Sequence, residues 1–423
     1  MTRGGPGREV VVRDLLWQNI ALEPAAAEVV DSPAFQRLRY VRQVGHAFLV
    51  YPGATHSRFE HALGAYHLAR RALAILEQRG ELAGLSAADA LFIRLGALLH
   101  DIGHYPFSHA LEESGFTSHE RLGEELLGRA PLAGLLEAHG FSDPAARFGA
   151  LIRGASDHPL AGLISGSIDL DKLDYLRRDA LMCGVPYGQV DVDRLLHCLA
   201  VVELDARRAV GIREKGLAAL ESLLFAKYQM YRNVYWHHAV RSATAMFKRL
   251  IREAVVDRHL DPAILGEATD DWLMRDLAAS DRTGLADALR ERRLYKRALE
   301  LLPAELGVSV PPWLPGDPQR LATAEDALAR AVGLGPCEVL IDLPHKQAML
   351  LIDLPHKQAM LGLDLPILRR DGTVDRLTQQ GWPGRMDLPP FAASLAESAC
   401  RLRVFTRRPV VVEAAALVEV LGS

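Results

Sequence analysis

The sequence has few cysteines and no long apolar run. Its four cysteines lie far apart, at Cys183, Cys198, Cys337 and Cys400, and none forms a CxxC pair. This spacing argues against a disulfide framework or a cysteine zinc site and is typical of reduced thiols in the cytosol. No run approaches the roughly 18 apolar residues that span a bilayer, and the first residues lack the apolar segment of a signal peptide. We therefore expect a cytoplasmic protein without a membrane partner.

The sequence also lacks a strong excess of charge of either sign. Its 49 basic residues nearly balance 53 acidic residues, and no basic stripe with interleaved aromatic residues is present. A net charge of −4 gives no general reason to bind nucleic acid, so we expect no nucleic-acid partner. With 49% apolar residues the composition is that of an ordinary globular protein, and 423 residues predict two or three domains.

Residues with metal-binding chemistry follow directly after one strongly apolar segment. Ala90–Leu99 has a single charged residue, which predicts a buried helix, and the segment ends at His100 and Asp101. Burying a carboxylate costs roughly several kcal/mol unless it is paired or binds a metal. Seven of the sixteen histidines lie between His56 and His119. A lone His-Asp pair is more often a core histidine with a capping aspartate, but this clustering favours a site for a divalent transition ion.

Two further segments could add ligands to this pair. A helix is expected to begin at Arg58, and on it His61 lies on a stripe of apolar residues and so faces inward. Asp171 lies on a helix within residues 165–185, where it shares a face with Asp174. The alternatives are a satisfied core histidine for His61 and a surface salt-bridge network for Asp171.

The remaining pattern predicts a mainly α protein with small β elements. We expect strands at 10–12 and 20–22, a hairpin at 200–212 and one long helix over 217–255. The sequence divides into a helical core at 1–255, a helical scaffold or oligomer-contact region at 256–308, and a small α+β C-terminal module at 309–423.

One segment of the C-terminal module is duplicated. LIDLPHKQAML occurs twice in tandem, at Leu340–Leu350 and Leu351–Leu361, without a single difference. Two copies do not make a solenoid. Because a shift by an odd number of residues inverts the faces of a strand, both copies cannot continue one strand with the same residues inward. We predict that one copy pairs in a sheet while the other bulges as a loop or shifts register.

Three motifs resemble those of the HD-domain phosphohydrolases. They are RFEH at Arg58–His61, HDIGHYPFSH at His100–His109 and IDLDKLDY at Ile168–Tyr175. More closely, they resemble the deoxynucleoside triphosphate (dNTP) triphosphohydrolases, which include the vertebrate sterile-alpha-motif HD restriction factor and its bacterial relatives. The resemblance runs from about residue 10 to residue 255 and implies an HD-domain helical core for this part of the chain.

The resemblance implies one divalent metal ion, manganese, iron or magnesium. The implied ligands are His61, His100, Asp101 and Asp171. Two imidazoles and two carboxylates leave open positions for water and for an oxygen of the α-phosphate. The metal would polarise the α-phosphorus and lower the pKa of the attacking water. In-line attack would release the deoxynucleoside and intact triphosphate.

The resemblance also implies catalytic and substrate-binding roles. His109 would protonate the 5′-oxygen leaving group and Glu112 would orient it, where the family more often has aspartate. The pair His119 and Glu120 would line the same site. The implied triphosphate contacts are Arg58, His104, Lys172 and Tyr235, and the implied sugar contacts are Gln43, Tyr175 and Asp179. The ring of Tyr175 would pack against C2′ and so disfavour ribose.

Regulation by a second nucleotide is a further expectation from the resemblance. The family holds effector nucleotides between subunits of a homo-oligomer, here expected to be a dimer or tetramer. The residues in the corresponding places are Asp31, Gln36, Arg39, Arg213 and Lys215. Allosteric activation is therefore expected to accompany assembly.

Two other functions stay open from the sequence. The first is an HD phosphohydrolase that acts on another nucleotide phosphoester. The combination of Arg58, Lys172, Tyr175 and Asp179 disfavours it, because a monophosphate would not need so many cations. The second is a nucleotide-sensing module with vestigial chemistry, against which the presence of all four implied metal ligands counts.

Overall fold

The computed structural model describes residues 9–314, 316–344, 365–377, 394–395 and 397–422, and these residues are mainly α-helical with small β-sheets, as predicted. The helices are α1 (Pro24–Asp31), α2 (Pro33–Gln36), α3 (Arg58–Gln78), α4 (Ala87–Leu99), α5 (His119–Leu127), α6 (Leu132–Ala138), α7 (Pro144–Ile152), α8 (Gly162–Ser165), α9 (Leu170–Cys183), α10 (Val192–Cys198), α11 (Leu217–Met230), α12 (His238–Val256), α13 (Asp270–Ser280), α14 (Leu285–Arg290), α15 (Pro318–Ala331) and α16 (Ala414–Gly422). The strands are β1 (Val10–Asp14), β2 (Gln18–Leu22), β3 (Leu199–Leu204), β4 (Arg207–Arg213), β5 (Lys296–Leu301), β6 (Val339–Asp342), β7 (Leu365–Leu368), β8 (Val374–Leu377) and β9 (Leu402–Thr406). In the described part of the chain, no helix is both long enough and apolar enough to cross a bilayer.

Helix α3 is central to the fold and packs against both α4 and α9. It begins after Ser57, whose backbone N–H and hydroxyl both donate to the Glu60 carboxylate, and this contact fixes the helix start. Helix α4 is buried over residues 95–99, as its apolar sequence predicts. Helix α9 begins after Asp169, whose side chain accepts a hydrogen bond from the backbone N–H of Lys172. Local sequence signals therefore set the starts of α3 and α9 and the end of α4. The candidate metal ligands lie at these three helix ends.

The strands form three small sheets. The predicted strands at the start of the chain are present as β1 and β2, which pair antiparallel, and the predicted hairpin is present as β3–β4. Strand β7 adds to β4 in parallel and pairs with β8, while β5, β9 and β6 form the third sheet in that order. Strands on either side of each proposed domain boundary therefore pair with one another, and the boundaries themselves stay a prediction.

The single helix predicted over 217–255 is wrong. The chain instead forms α11, a π-helical turn at Tyr231–Tyr235, and then α12. The hydroxyl of Tyr51 donates to the backbone carbonyl of Asn233 at 2.5 Å, within this turn. A π-helical turn changes the direction of side chains relative to a continuous α-helix. The hydroxyl of Tyr235, the last residue of this turn, donates to Asp179 on α9.

The described part of the duplicated segment pairs in a sheet. Residues 340–342 of the first copy belong to β6, which pairs with β9. Residues 345–361, which include the whole second copy, lie outside the described residues. The expectation of a bulge or register shift stays a prediction.

A buried histidine should make stability depend on pH. The His46 ring stacks on Phe107, with centroids 4.4 Å apart, and neither ring nitrogen has a hydrogen-bond partner in the described structure. Burial, assisted by the charge of Arg42, lowers the pKa of His46 to about 3. As the pH falls below about 6.5, the unfolded chain binds a proton that the folded chain cannot accept, so stability falls.

We therefore expect His46→Leu to reduce the loss of stability between pH 7 and pH 5. The His46 contribution to that loss is about 2 kcal/mol, because one unit of pKa shift corresponds to about 1.4 kcal/mol. Urea unfolding of the wild type and the variant at both pH values measures it. His197→Leu, at an exposed histidine, is the control. Equal pH dependence in the wild type and His46→Leu would contradict the prediction.

Candidate active site

Four side chains from the ends of three helices converge. His61 Nε2 lies 2.9 Å from Asp171 Oδ1 and 3.2 Å from His100 Nε2, and 3.6 Å from Asp101 Oδ2. His100 Nε2 lies 3.4 Å from Asp101 Oδ1 and 3.6 Å from Asp171 Oδ1. His61 and Asp171 lie in the first turns of α3 and α9, while His100 and Asp101 directly follow α4. The structure thus brings the four predicted metal ligands together.

The donor set fits a divalent transition ion. His100 Nδ1 lies 2.8 Å from the carbonyl oxygen of Ala97, and His61 Nδ1 lies 2.8 Å from Asp174 Oδ2. Each Nδ1–H is thereby held, and Nε2 faces the carboxylates, as in metal-binding histidines. Burial lowers the pKa of His61, but the carboxylates of Asp171 and Asp174 raise it to about 10 overall. A positive charge is therefore stabilised between these groups, and they could hold one metal ion.

A second group, formed by His104, His109, Glu112 and His119, adjoins the four predicted metal ligands. His104 Nε2 lies 3.3 Å from Asp101 Oδ1, and its ring stacks on that of His119 with centroids 3.8 Å apart. Glu112 Oε1 lies 2.6 Å from His119 Nδ1, and Oε2 lies 3.4 Å from His109 Nδ1. The longer side chain of glutamate therefore reaches His109, but its closer contact is with His119.

Proton transfer suits this second group better than metal binding. The planes of the His104 and His119 rings are within 18° of parallel, so one ion cannot lie in the plane of both rings. Burial lowers the pKa of His119, but the charges of Glu112 and Glu120 raise it to about 10. His119 is consequently a cation held by Glu112. The side chain of His109 is 52% exposed, so a ligand can reach it.

Arg58 holds Asp101, one of the four predicted metal ligands. It donates to Asp101 Oδ2 at 2.6 Å, to the hydroxyl of Ser108 at 2.5 Å and to the carbonyl oxygen of Gln43 at 3.2 Å. Burial raises the pKa of Asp101, but the charges of Arg58, His100 and His104 together hold it well below its usual range. The amide oxygen of Gln43 is buried without a hydrogen-bond partner among the described residues. Such a group is costly unless a ligand satisfies it.

The predicted sugar contacts lie beside the four predicted metal ligands. Tyr235 donates its hydroxyl to Asp179 Oδ2 at 2.6 Å, and His56 Nε2 lies 2.8 Å from Asp179 Oδ1. The ring of Tyr175 has its centroid 6.4 Å from the ring of His61 and 6.4 Å from that of Tyr235. These aromatic side chains therefore form one wall next to the predicted metal ligands.

Lys172 is buried in the first turn of α9. Its ammonium group forms an ion pair with Asp169 and lies 3.4 Å from the carbonyl oxygen of Gly166. A contact between Lys172 and phosphate stays a prediction, and Asp169 would share that positive charge.

The predicted effector residues divide into two sets. Gln36 accepts a hydrogen bond from Arg39 at 2.7 Å, and the Arg39 guanidinium lies 3.5 Å from the ring centroid of Phe59, at the start of α3. Arg213 instead donates to Glu81, beyond the other end of α3, at 2.5 Å. A helix of 21 residues is about 30 Å long. Asp31 belongs to the first set and Lys215 to the second. Within one chain, the two sets are therefore too far apart to hold the same nucleotide.

Several residues of the site carry no motif that assigns them a role. The sequence pattern indicates only that Asp174 shares a helix face with Asp171, yet its carboxylate holds the ring of His61. His56, in a loop, contacts Asp179, and Ser108, in a 3-10 helical turn, contacts Arg58. Their contacts join segments far apart in the sequence, so no local pattern predicts them.

Comparison with known families and proteins agrees with this geometry. Residues 58–179 match the HD domain, and residues 190–358 match the HD associated region. An uncharacterized protein of Methanocaldococcus jannaschii is 37% identical over 290 residues, which cover 68% of this chain and 59% of that protein. The deoxynucleoside triphosphate triphosphohydrolase SAMHD1 of Bos taurus is 29% identical over 268 residues, which cover 54% of this chain and 44% of SAMHD1.

The likeness extends to a solved structure and to nearly the whole chain. The crystal structure of a hypothetical protein from Aquifex aeolicus has a TM-score of 0.71 and 26% sequence identity, and the match covers 95% of this chain and 97% of that chain. The chain spans little more than half the length of the first curated relatives that it matches. It is an HD-domain protein, in which the HD domain that contains the four converging side chains is followed by an HD-associated region.

Proposed function

We propose that this protein hydrolyses dNTPs to a deoxynucleoside and inorganic triphosphate in a metal-dependent reaction. The observation that carries the proposal is the convergence of His61, His100, Asp101 and Asp171 beside the His109–Glu112 pair. A divalent ion held by the four ligands would polarise the α-phosphate and acidify a water molecule. Manganese, iron and magnesium are the candidate ions.

His109 is the proposed acid for the 5′-oxygen of the leaving group. Its exposed position lets it meet a substrate, while Glu112 approaches its Nδ1 and so favours the tautomer with a proton on that nitrogen. Burial raises the pKa of Glu112, but His119 and His109 lower it well below its usual range. Glu112 therefore stays ionised and can stabilise a protonated His109. His119 and Glu120 are assigned to line the same part of the site.

The adjoining residues form the proposed substrate pocket. Arg58, His104, Lys172 and Tyr235 are assigned to the triphosphate, and Gln43, Tyr175 and Asp179 to the sugar. The unpartnered amide oxygen of Gln43 can accept a hydrogen bond from a sugar hydroxyl, and the Asp179 carboxylate is held in place by two neighbours.

Regulation is the less direct part of the proposal. We assign Asp31, Gln36, Arg39, Arg213 and Lys215 to nucleotide effectors. The two sets lie at opposite ends of α3, so each effector would be completed by another subunit of a homodimer or homotetramer. A cytoplasmic location, where nucleotide pools are found, accords with this role.

Product analysis tests the proposal. The metal-loaded protein is incubated in ¹⁸O-labelled water with each dNTP, NTP and dNMP, with and without a second nucleotide. Attack at the α-phosphorus should yield deoxynucleoside and triphosphate, with the label in the triphosphate. Release of pyrophosphate or monophosphate would mean that a bond other than the one to the 5′-oxygen is broken, and would favour the alternative phosphohydrolase. No turnover of any nucleotide by metal-loaded protein would favour the sensing module.

Tyr175→Ala should weaken the discrimination against NTPs. Tyr175 lies between His61 and Tyr235, where its ring would contact C2′ of the sugar. Steric exclusion of a single hydroxyl group gives only modest discrimination between two substrates. We therefore expect the ratio of kcat/KM for dNTPs to kcat/KM for NTPs to fall by roughly ten- to a hundredfold. Tyr40→Ala, at a tyrosine that is 65% exposed, is the control. An unchanged ratio would remove Tyr175 from the sugar site.

A further inference from the structure

The carboxylate that holds His61 is fully buried and fully hydrogen-bonded. Asp174 Oδ2 lies 2.8 Å from His61 Nδ1 and accepts from Arg178 Nε at 2.8 Å. Its Oδ1 accepts from Arg178 Nη2 at 2.9 Å and from the indole N–H of Trp17 at 2.5 Å. Four donors thus fix the position of one carboxylate, which in turn fixes the imidazole of His61.

One of these donors comes from the turn of the N-terminal β1–β2 hairpin. Trp17 lies in the turn between the two strands, which is formed by residues 15–17. Its indole ring also stacks on His67, with centroids 5.8 Å apart, and lies under the guanidinium of Arg177 at 5.3 Å. The indole is therefore clamped by helices α3 and α9 with its N–H directed at Asp174.

Asp14, in the same hairpin, holds both parts of this arrangement. Its Oδ1 accepts from the backbone N–H of Trp17 at 2.7 Å, which shapes the turn. Its Oδ2 accepts from Arg178 Nη1 at 2.8 Å, and Oδ1 lies 3.3 Å from Arg178 Nη2. The side chains of Asp14 and Arg178 are each only 3% exposed. An ion pair this deeply buried holds its geometry because loss of either partner leaves an unpaired charge.

The sequence leaves room for this network at one glycine. Gly64 lies on α3 one turn after His61, and a Cβ there would come within 1.9 Å of Asp174 Oδ1. Any side chain at this position would displace the carboxylate. The close approach of α9 to α3 therefore serves the contact between Asp174 and His61.

We propose that Asp14 and Trp17 are positioning residues for His61, so that the N-terminal hairpin is part of the metal centre. They act through Asp174 and Arg178, which set the ring orientation of His61 and direct its Nε2 toward the other ligands. This proposal rests on the metal centre of the proposed function but not on the substrate or on the reaction. Displacement of the hairpin would therefore leave the ring of His61, one of the predicted metal ligands, less firmly held.

The test measures metal binding without any nucleotide. Trp17→Phe keeps a ring but removes the N–H donor, and Asp14→Asn keeps the shape but removes the charge that holds Arg178. Calorimetric titration with Mn²⁺ alone gives the affinity, and the visible spectrum of the Co²⁺-loaded protein reports ligand geometry. We expect each variant to bind Mn²⁺ about ten- to a hundredfold more weakly, the usual effect of losing such an outer contact, with an altered Co²⁺ spectrum.

Two matched controls separate positioning from general damage. Trp272→Phe removes a tryptophan that is 41% exposed, and Asp193→Asn breaks a surface ion pair with Arg71. Both should bind Mn²⁺ like the wild type, and metal-free Trp17→Phe should melt close to the metal-free wild type.

Two results would overturn the proposal. One is wild-type Mn²⁺ affinity and an unchanged Co²⁺ spectrum in both Trp17→Phe and Asp14→Asn. The other is a loss of affinity in Trp17→Phe that is matched by an equal loss of stability of its metal-free form, because a merely structural role predicts that. Neither result depends on which nucleotide the protein hydrolyses. Failure of this proposal can therefore be distinguished from failure of the proposed dNTP hydrolysis.

Discussion

Replacing His61 with alanine should remove the bound metal and reduce kcat/KM by about a thousandfold or more, because charge stabilisation by a metal ion is worth several kcal/mol. His61 Nε2 lies within 3.6 Å of an atom of each of the other three ligands, so its removal takes one donor out of the centre of the cluster. The variant also leaves Asp174 without its imidazole partner. Elemental analysis after dialysis and steady-state kinetics with dNTPs measure the two effects.

The matched control is His197→Ala, which removes an imidazole at an exposed position on α10. It should retain one metal ion per chain and full activity. Retention of stoichiometric metal by His61→Ala, with activity close to that of the wild type, would contradict the assignment of the cluster as the metal centre.

Replacing His109 with alanine should lower kcat by about a hundred- to ten-thousandfold, the range for loss of a positioned general acid. Metal content, KM and melting temperature should change little, because the side chain is 52% exposed and does not belong to the four-ligand cluster. Single-turnover kinetics with each dNTP and elemental analysis of the same preparation measure these effects. Loss of metal from His109→Ala would mean that this histidine is a ligand rather than the acid.

Glu112→Gln complements this variant. It removes the negative charge but keeps the length of the side chain that reaches both histidines. Because Glu112 is assigned to orient His109, we expect kcat to fall while KM and metal content stay close to the wild-type values. An equal loss of stability, seen as a lower melting temperature, would instead assign Glu112 to folding of this loop.

Local sequence predicted the helices that carry the site because their signals are local. The apolar run before His100 predicts a buried helix, and the structure has α4 buried up to that residue. The start of α3 at Arg58 was predicted, and the capping contact between Ser57 and Glu60 explains it. Where long-range contacts intervene, prediction failed: the π-helical turn at Tyr231–Tyr235 interrupts a segment whose pattern is helical throughout.

The family resemblance of the motifs also named the four residues that converge, but not what orders them. These residues lie at the ends of α3, α4 and α9, and both α4 and α9 pack against α3. The contacts of Asp174 with Trp17 and of Arg178 with Asp14 span 157 and 164 residues. No periodicity or spacing connects positions so far apart.

The sequence by itself thus determined the helix ends and the chemical identity of the groups placed there, because capping, apolar periodicity and side-chain chemistry act over a few residues. Only the tertiary structure decided which nitrogen of each histidine faces the site, that Lys172 is paired with Asp169, and that the effector residues lie at both ends of α3. These features depend on which distant segments pack together, and buried charges and hydrogen bonds are then satisfied by whatever partner the packing supplies.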